Sequence, residues 1–81
     1  MAEAILKRRR ELGQYLRLLR RSLGLTREQA AEKIGIHPVQ LARVESASAN
    51  FTISTLLAMS LAYGTPVEEI FAQKPLRKRK P

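Results

Sequence analysis

The amino-acid sequence predicts a small all-α domain, and three observations support this fold class. Helix-start signals recur along the chain, leucines near its beginning repeat at helical spacing, and strand signals are absent. No segment alternates polar and β-branched residues, and no Asn-Gly or Asp-Gly pair marks a hairpin. With 81 residues, the chain is expected to form one compact domain of five short helices around a modest core.

The first helix is predicted from an apolar stripe. Four leucines lie four, three and four residues apart, which places them on one face of a helix. These leucines are Leu12, Leu16, Leu19 and Leu23. Ile5 continues the stripe, so the helix is expected to begin near Ala4 and to include most of a basic leader, residues 1–10. Gly24 is expected to end the helix in the left-handed conformation.

A second helix is predicted from a capping box. Thr26 and Gln29 lie three residues apart, so each side chain can bond to a backbone amide at the start of the helix. The helix is expected to run to about Ile34, because Gly35 can adopt the positive φ of a sharp turn.

A third helix is predicted for residues 38–46. His37 can cap its amino terminus and Pro38 can be its first residue, where the missing N–H of proline costs no hydrogen bond. Leu41 and Val44 are three residues apart, so they are expected to point together toward the other helices.

Two more helices are predicted in the second half of the chain. The fourth follows Thr52 and is apolar on nearly every side, which is typical of a helix at the centre of a core. Its apolar residues are Ile53, Leu56, Leu57, Ala58, Met59, Leu61 and Ala62. After Gly64, Thr65 and Glu68 have capping-box spacing, with Pro66 as the expected first residue of a fifth helix. The apolar residues of that helix are Val67, Ile70 and Phe71.

The other face of the third helix suits neither a core nor an ordinary wet surface. It combines small apolar residues with one long cation, and its members are Pro38, Val39, Ala42 and Arg43. The DNA major groove fits this set, because thymine methyls contact small apolar groups and guanine O6 and N7 accept from arginine. A short helix, a glycine turn and a helix with this face have the helix-turn-helix arrangement. In the alternative interpretation, Val39 and Ala42 contact a neighbouring helix and Arg43 is a surface cation.

Charge is concentrated at the two ends of the chain. The net charge of +8 is distributed as +5 in residues 1–23, −2 in residues 25–73 and +5 in residues 74–81. Basic ends favour a polyanionic partner, nucleic acid before an anionic membrane. The alternative is a solvated basic face followed by a disordered tail, residues 73–81.

Catalysis, metal binding and cofactor binding are not expected. The chain has no cysteine, no aspartate and one histidine, so it lacks the residues for disulfides, Cys/His metal clusters or a Ser-His-Asp set. The sequence has neither a signal-peptide pattern nor an apolar run long enough to span a membrane. We therefore expect a cytoplasmic protein, associated with the nucleoid if it binds DNA.

Two longer segments resemble a known family. GLTREQAAEKIGIHPVQLARVE and, after it, FTISTLLAMSLAYGTPVEEIF are similar to the phage repressor and Cro-type (Xre-like) helix-turn-helix family of DNA-binding regulators. The resemblance covers about residues 11–72 and includes the Gly-Leu-Thr entry to the second helix, the turn at Gly35 and Thr-Leu-Leu at 55–57. It implies a compact, five-helix, lambda-repressor-like domain between the basic leader and the basic tail.

The resemblance also implies roles for individual residues. The base-reading positions of the family correspond to Pro38, Val39, Ala42 and Arg43, and Gln40 is expected to add a base or phosphate contact. Arg27 matches a phosphate-binding position at the start of the second helix, and the loop with Ser48 and Asn50 is expected to bind phosphates as well. Arg20 and Glu45 match a pair that joins the first helix to the end of the third.

This sequence departs from the family pattern in two places inside the matched region. The loop after the third helix usually has a glycine near position 47, whereas this chain has Ser-Ala-Ser-Ala-Asn at 46–50. Ala30 stands where the family has a larger residue, so the core is expected to be looser there or filled by another side chain.

The sequence thus favours a homodimeric transcriptional regulator of double-stranded DNA. The third helices of two copies would enter successive major grooves of a near-palindromic operator, about 34 Å apart. A dimer is expected because the core is thin, with Met59, Tyr63, Val67, Ile70 and Phe71 at its interface. In the alternative, those side chains only close the core of a monomer.

Three rival functions remain open at this point. The first is an antitoxin that neutralises a toxin and represses its own operon, and a protein partner of this kind, or the polymerase, would need a docking surface. The second is a general nucleic-acid or RNA binder that uses the basic ends alone. An enzyme is the weakest option, since no catalytic set of side chains exists.

Overall fold

The computed structural model describes residues 1–47 and 52–76, and in these two ranges the chain folds into helices without a strand. Five helices follow one another in these ranges: α1 (Ala2–Ser22), α2 (Arg27–Ile34), α3 (Pro38–Glu45), α4 (Ile53–Tyr63) and α5 (Val67–Ala72). The all-α fold expected from the sequence is confirmed. None of the described helices is both long enough and apolar enough to pass through a membrane.

One apolar core lies between the five helices. α3 packs against both α1 and α2, while α4 packs against α2 and α5. The core residues are Tyr15, Leu16, Leu19, Ala30, Ala31, Ile34, Leu41, Val44, Leu56, Met59, Tyr63 and Ile70. Burying a leucine or isoleucine side chain of this kind contributes about 1.5–3 kcal/mol. The core therefore holds α3 by Leu41 and Val44, the two residues that the sequence assigned to its inner face.

α1 is longer than the core that it covers. Leu16 and Leu19 are buried, and Leu12 and Leu23 are half-buried at the edges of the same stripe. Ile5 also lies on α1 but is 53% exposed. The leader therefore continues α1 as one helix that starts at Ala2, and its first turns extend past the core.

The connections around α2 and α3 follow the local signals of the sequence. The Thr26 hydroxyl accepts from the Gln29 amide at 3.1 Å, and the Gln29 side chain accepts from the Thr26 amide at 2.9 Å. Gly35 ends α2 with φ of 90°. The ring Nδ1 of His37 accepts from the Val39 amide at 3.1 Å, so histidine caps α3 in front of Pro38.

The predictions for α4 and α5 were each wrong in one respect. Leu56, Met59 and Tyr63 of α4 are buried, but the opposite side of α4 faces solvent, so the helix is not central. The exposed fractions on that side are 78% for Ile53, 49% for Leu57 and 84% for Leu61. The apolar circumference of α4 had indicated burial on all sides, but among the described residues no other helix covers this side.

α5 begins one residue later than the sequence predicted. Its first residue is Val67, and Pro66 occupies the N-cap position instead of the first helical position. The hydroxyl of Thr65, just before it, is buried and donates to the carbonyl of Tyr63 at 3.4 Å.

Gly13 permits the closest approach between α1 and α3. A Cβ atom at Gly13 would lie 2.7 Å from the carbonyl oxygens of both Val44 and Glu45. Both obstacles are backbone atoms, which cannot rotate away as a long side chain could. The absence of a side chain at Gly13 is therefore what lets α1 lie directly on the last turn of α3.

Replacement of Gly13 by alanine should lower the free energy of unfolding by about 1–3 kcal/mol, as overpacking typically does. At an unobstructed helix position the same change stabilises by about 0.5–1 kcal/mol, so the sign of the effect is diagnostic. Chemical denaturation measures it, and Gln14→Ala on the exposed side of α1 is the control. A more stable G13A protein would show that the two helices do not meet closely.

Candidate nucleic-acid interface

α3 presents one face to the core and the other to solvent. Leu41 and Val44 are buried on the inner face. On the outer face, Val39 is 52% exposed. Gln40 and Arg43 are also exposed, whereas Pro38 and Ala42 are half-buried. The exposure of Val39 does not fit the alternative in which a neighbouring helix covers it.

A buried ion pair joins α1 to the end of α3. Arg20 Nε donates to Glu45 Oε2 at 2.7 Å, and Arg20 Nη2 donates to Glu45 Oε1 at 3.2 Å. The two side chains are only 8% and 3% exposed. The remaining Nη1 of Arg20 donates to the carbonyl of Leu25 at 2.8 Å, in the connection between α1 and α2. One guanidinium on α1 thus binds both the end of α3 and the connection that leads into α2.

Glu45 lies at a position where its negative charge has to be balanced by nearby arginines. Glu45 is the last residue of α3. The carboxyl end of a helix carries the negative end of the helix dipole, which disfavours a carboxylate there. Arg20 offsets this, and Arg27 adds a second positive charge, with its Nε 3.9 Å from Glu45 Oε1. The hydrogen bond to Glu45 raises the pKa of Arg20, and burial opposes this only in part. Arg20 therefore stays charged inside the protein.

Arg27 occupies the exposed edge of this cluster. It is the first residue of α2, and its side chain is 44% exposed while it approaches Glu45. An arginine so placed can contact solvent or an external anion without breaking the Arg20–Glu45 pair. The other two residues expected to bind phosphate, Ser48 and Asn50, lie outside the described residues.

The connection after α3 has an unusual backbone. Ala47 has φ of 60°, in the left-handed region that favours glycine. The family that the sequence resembles usually has a glycine near this position, and here an alanine adopts a conformation that glycine favours. Arg9 of the leader donates to the Ala47 carbonyl at 3.4 Å. Sequence reasoning missed this contact, because the sequence predicted that the leader extends α1 but not which residues the leader would lie beside.

The residues expected at a dimer interface do not share one surface. Met59, Tyr63 and Ile70 are at most 3% exposed within the single chain, so their side chains pack in its core instead of offering surface to a second copy. Val67 is half-buried against the same core. Phe71, 59% exposed, is the exposed member of the predicted set.

The hydroxyl of Tyr63 is buried beside the ion pair, and it has no hydrogen-bond partner among the residues that the structure describes. Burial is the main reason why the pKa of Tyr63 is raised above its usual value near 10, and the negative charge of Glu45 raises it further. The phenol is therefore held neutral next to a carboxylate. Leaving a buried hydroxyl unpaired costs about 1–3 kcal/mol in proteins.

Together, the glycine turn between α2 and α3 and the exposed outer face of α3 define a helix-turn-helix DNA-binding domain. A family model described as a helix-turn-helix domain matches residues 11–72. The chain belongs to this Xre/Cro-like helix-turn-helix family. Comparison with curated proteins gives no match.

Loss of one partner of the buried pair should be far more damaging than loss of both. Arg20→Met leaves the Glu45 carboxylate buried with only the longer contact to Arg27, which should cost about 3–5 kcal/mol. The double variant Arg20→Met, Glu45→Leu should recover most of this loss in denaturation experiments. Arg17→Met, at an exposed position of α1, is the control and should change little. Additive losses in the double variant would contradict a coupled pair.

Tyr63→Phe should stabilise the protein by about 1 kcal/mol, because it removes a hydroxyl that is buried without a partner. Above pH 10 the unfolded chain releases the Tyr63 proton before the folded one does, so the natural protein should lose stability as the pH rises. That loss should be smaller in Y63F. Thermal unfolding between pH 7 and 11 measures both effects, and a destabilised Y63F protein would indicate a hydrogen bond to the hydroxyl.

Proposed function

We propose that this protein is a sequence-specific transcriptional regulator that inserts α3 into the major groove of double-stranded DNA. The observation that carries the proposal is the outer face of α3, which is exposed while the opposite face and the end of the helix are held firmly. A helix fixed in this way can present its side chains to base edges at little entropic cost.

The residues of the outer face have distinct chemical roles in this proposal. Arg43 donates to guanine O6 and N7, which is the commonest specific contact in the major groove. Val39 contacts a thymine methyl, and Pro38 and Ala42 leave room for the bases to approach. Gln40 adds a base or phosphate contact at the edge of the same face.

Phosphate contacts surround this reading surface. Arg27 is the most direct candidate, because it is exposed at the amino end of α2, where backbone amides also favour anions. Ser48 and Asn50 are proposed to contribute from the loop after α3. The basic leader and tail should raise the affinity for any DNA sequence and steepen its dependence on salt.

A homodimer is the assembly that we propose for operator binding. The interface expected from the sequence, on α5 with Met59 and Tyr63 of α4, is largely buried in the core of the single chain. We therefore assign the contact to the exposed side of α4, where Ile53, Leu57 and Leu61 follow one another at intervals of one helical turn. α4 contains no charged residue. In a chain with a net charge of +8, this face lets two copies meet without bringing like charges together.

Arg43→Ala should relax the preference at one base pair of the bound site by about 1–3 kcal/mol, because it removes a two-bond contact with guanine. Selection of bound sites from a random DNA pool identifies the site and that base pair. The change in preference is then measured with the selected site and its single-base variants.

The matched control for this experiment is Arg27→Ala. Removal of a phosphate contact should weaken binding to all sequences alike and lower the slope of affinity against salt by about one. If Arg43→Ala also weakened specific and random DNA equally, Arg43 would be a phosphate anchor and α3 would not read the sequence through it.

Leu61→Glu should convert the dimer to monomers, because it puts a carboxylate into each half of an apolar contact. Sedimentation equilibrium at micromolar concentration measures the change. Leu18→Glu on the exposed side of α1 is the control, since Leu18 is 55% exposed and lies outside α4. Dissociation by Phe71→Glu instead of Leu61→Glu would assign the interface to α5.

The antitoxin alternative shares the DNA-binding part of this proposal and adds a protein partner. One observation favours this alternative. The leader and α5 form an apolar cleft that lies apart from both the outer face of α3 and the exposed side of α4. A partner bound there would be compatible with a regulator that also meets a toxin or the polymerase.

A further inference from the structure

An open cleft lies between the first turns of α1 and the end of α5. Its volume is about 540 Å³. The residues that line it are Ala4, Ile5, Arg8, Arg9, Leu12, Phe71 and Gln73. The leader of α1 supplies most of this set, so the cleft exists because α1 extends past the core.

The floor of the cleft is apolar and accessible. Ile5 is 53% exposed and Phe71 is 59% exposed, while Leu12 is half-buried between them and the core. Ile5 and Leu12 are seven residues apart on one helix, which corresponds to about 10 Å along its axis. A floor of this length matches two turns of a second helix.

The rim of the cleft is basic. The side chain of Arg8 is 78% exposed, and its nearest acidic partner is Glu11, with an N–O distance of 3.7 Å. A surface pair at this distance contributes little, so Arg8 can turn to a stronger acceptor. Arg9 is fixed beside it by its hydrogen bond to the Ala47 carbonyl.

We propose that this cleft is a docking site for an acidic amphipathic helix of a partner protein. The apolar side of the partner helix, with residues at i, i+4 and i+7, covers Ile5, Leu12 and Phe71. Its carboxylates face Arg8 and the neighbouring basic residues of the leader. The inference goes beyond DNA binding and dimerisation, because it assigns a third surface to a partner of a different chemistry.

Charge excludes the two occupants that this chain itself could supply. The tail carries Arg77, Lys78, Arg79 and Lys80, which would be repelled by the basic rim. A second copy that docked through the same cleft would bring the same basic run, residues 7–10, against itself. Nucleic acid would satisfy the arginines but would leave the apolar floor without a partner. An acidic helix is the occupant that satisfies both.

The test uses three designed peptides and the full-length protein. One peptide is a helix with leucines at i, i+4 and i+7 and glutamates elsewhere on its flanks. The second has lysine in place of each glutamate, and the third has the first composition in scrambled order. Fluorescence anisotropy should show that the acidic amphipathic peptide binds at least tenfold more tightly than either of the others.

Variants of the protein locate the peptide. Ile5→Ser and Arg8→Glu should each weaken binding of the acidic peptide by at least tenfold, and Arg8→Glu should reduce its advantage over the lysine peptide. The matched controls are Leu18→Ser and Arg17→Glu, which make the same changes at exposed positions of α1 outside the cleft. They should change binding less than twofold. Circular dichroism confirms that each variant is folded.

Several results would overturn the proposal. The acidic peptide could fail to bind at all, which would leave the cleft without this occupant. The lysine or scrambled peptide could bind as tightly as the acidic one, or Ile5→Ser could leave the binding of the acidic peptide unchanged. Conversion of a dimer to monomers by Ile5→Ser would assign the cleft to a second copy. Loss of random-duplex binding in Ile5→Ser, as large as the loss in Arg8→Glu, would assign the cleft to DNA. Peptide binding is measured without DNA, so a failure of the proposed sequence readout leaves this test intact.

Discussion

The buried contact between Arg20 and Glu45 is the interaction on which the arrangement of this protein depends. Glu45 ends α3, and Arg20 comes from α1 and also holds the connection to α2. Burial of two charges is unfavourable unless their geometry is nearly ideal, so the pair tolerates few positions of the three helices. Its contribution is to the orientation of α3 more than to stability.

The close approach at Gly13 and the ion pair act on the same few residues of α3. Gly13 lets the backbone of α1 reach the carbonyls of Val44 and Glu45, and seven residues later Arg20 binds the side chain of Glu45. Two turns of α1 therefore contact the last turn of α3, one through Gly13 and the other through Arg20. The outer face of α3 stays exposed, because the contacts from Gly13, Arg20 and the core reach α3 from the other side or at its end.

The sequence was sufficient for elements whose signals are local. Capping by Thr26, Gln29 and His37, and the turn at Gly35, depend on residues within one turn of each other, so they could be predicted. Burial could not be predicted in the same way, since it depends on which helices meet. The apolar circumference of α4 therefore indicated a central helix, although one side of it is uncovered. Gly13 is a glycine within a helix of good helix formers, which is unfavourable for the helix by itself. Its role can be seen only in the structure, where α3 packs against it.

Several large apolar side chains that a small domain could have buried are exposed instead, among them those on the outer side of α4 and beside the leader.

The left-handed alanine at position 47 has a consequence for how this domain could be improved. An alanine in that conformation carries steric strain of about 1–2 kcal/mol that a glycine would not have. The chain could therefore gain stability from a single substitution at the end of α3. A single methyl group could be deleted there without touching the exposed face of α3, and the thermal tolerance so gained would let other positions accept more disruptive changes.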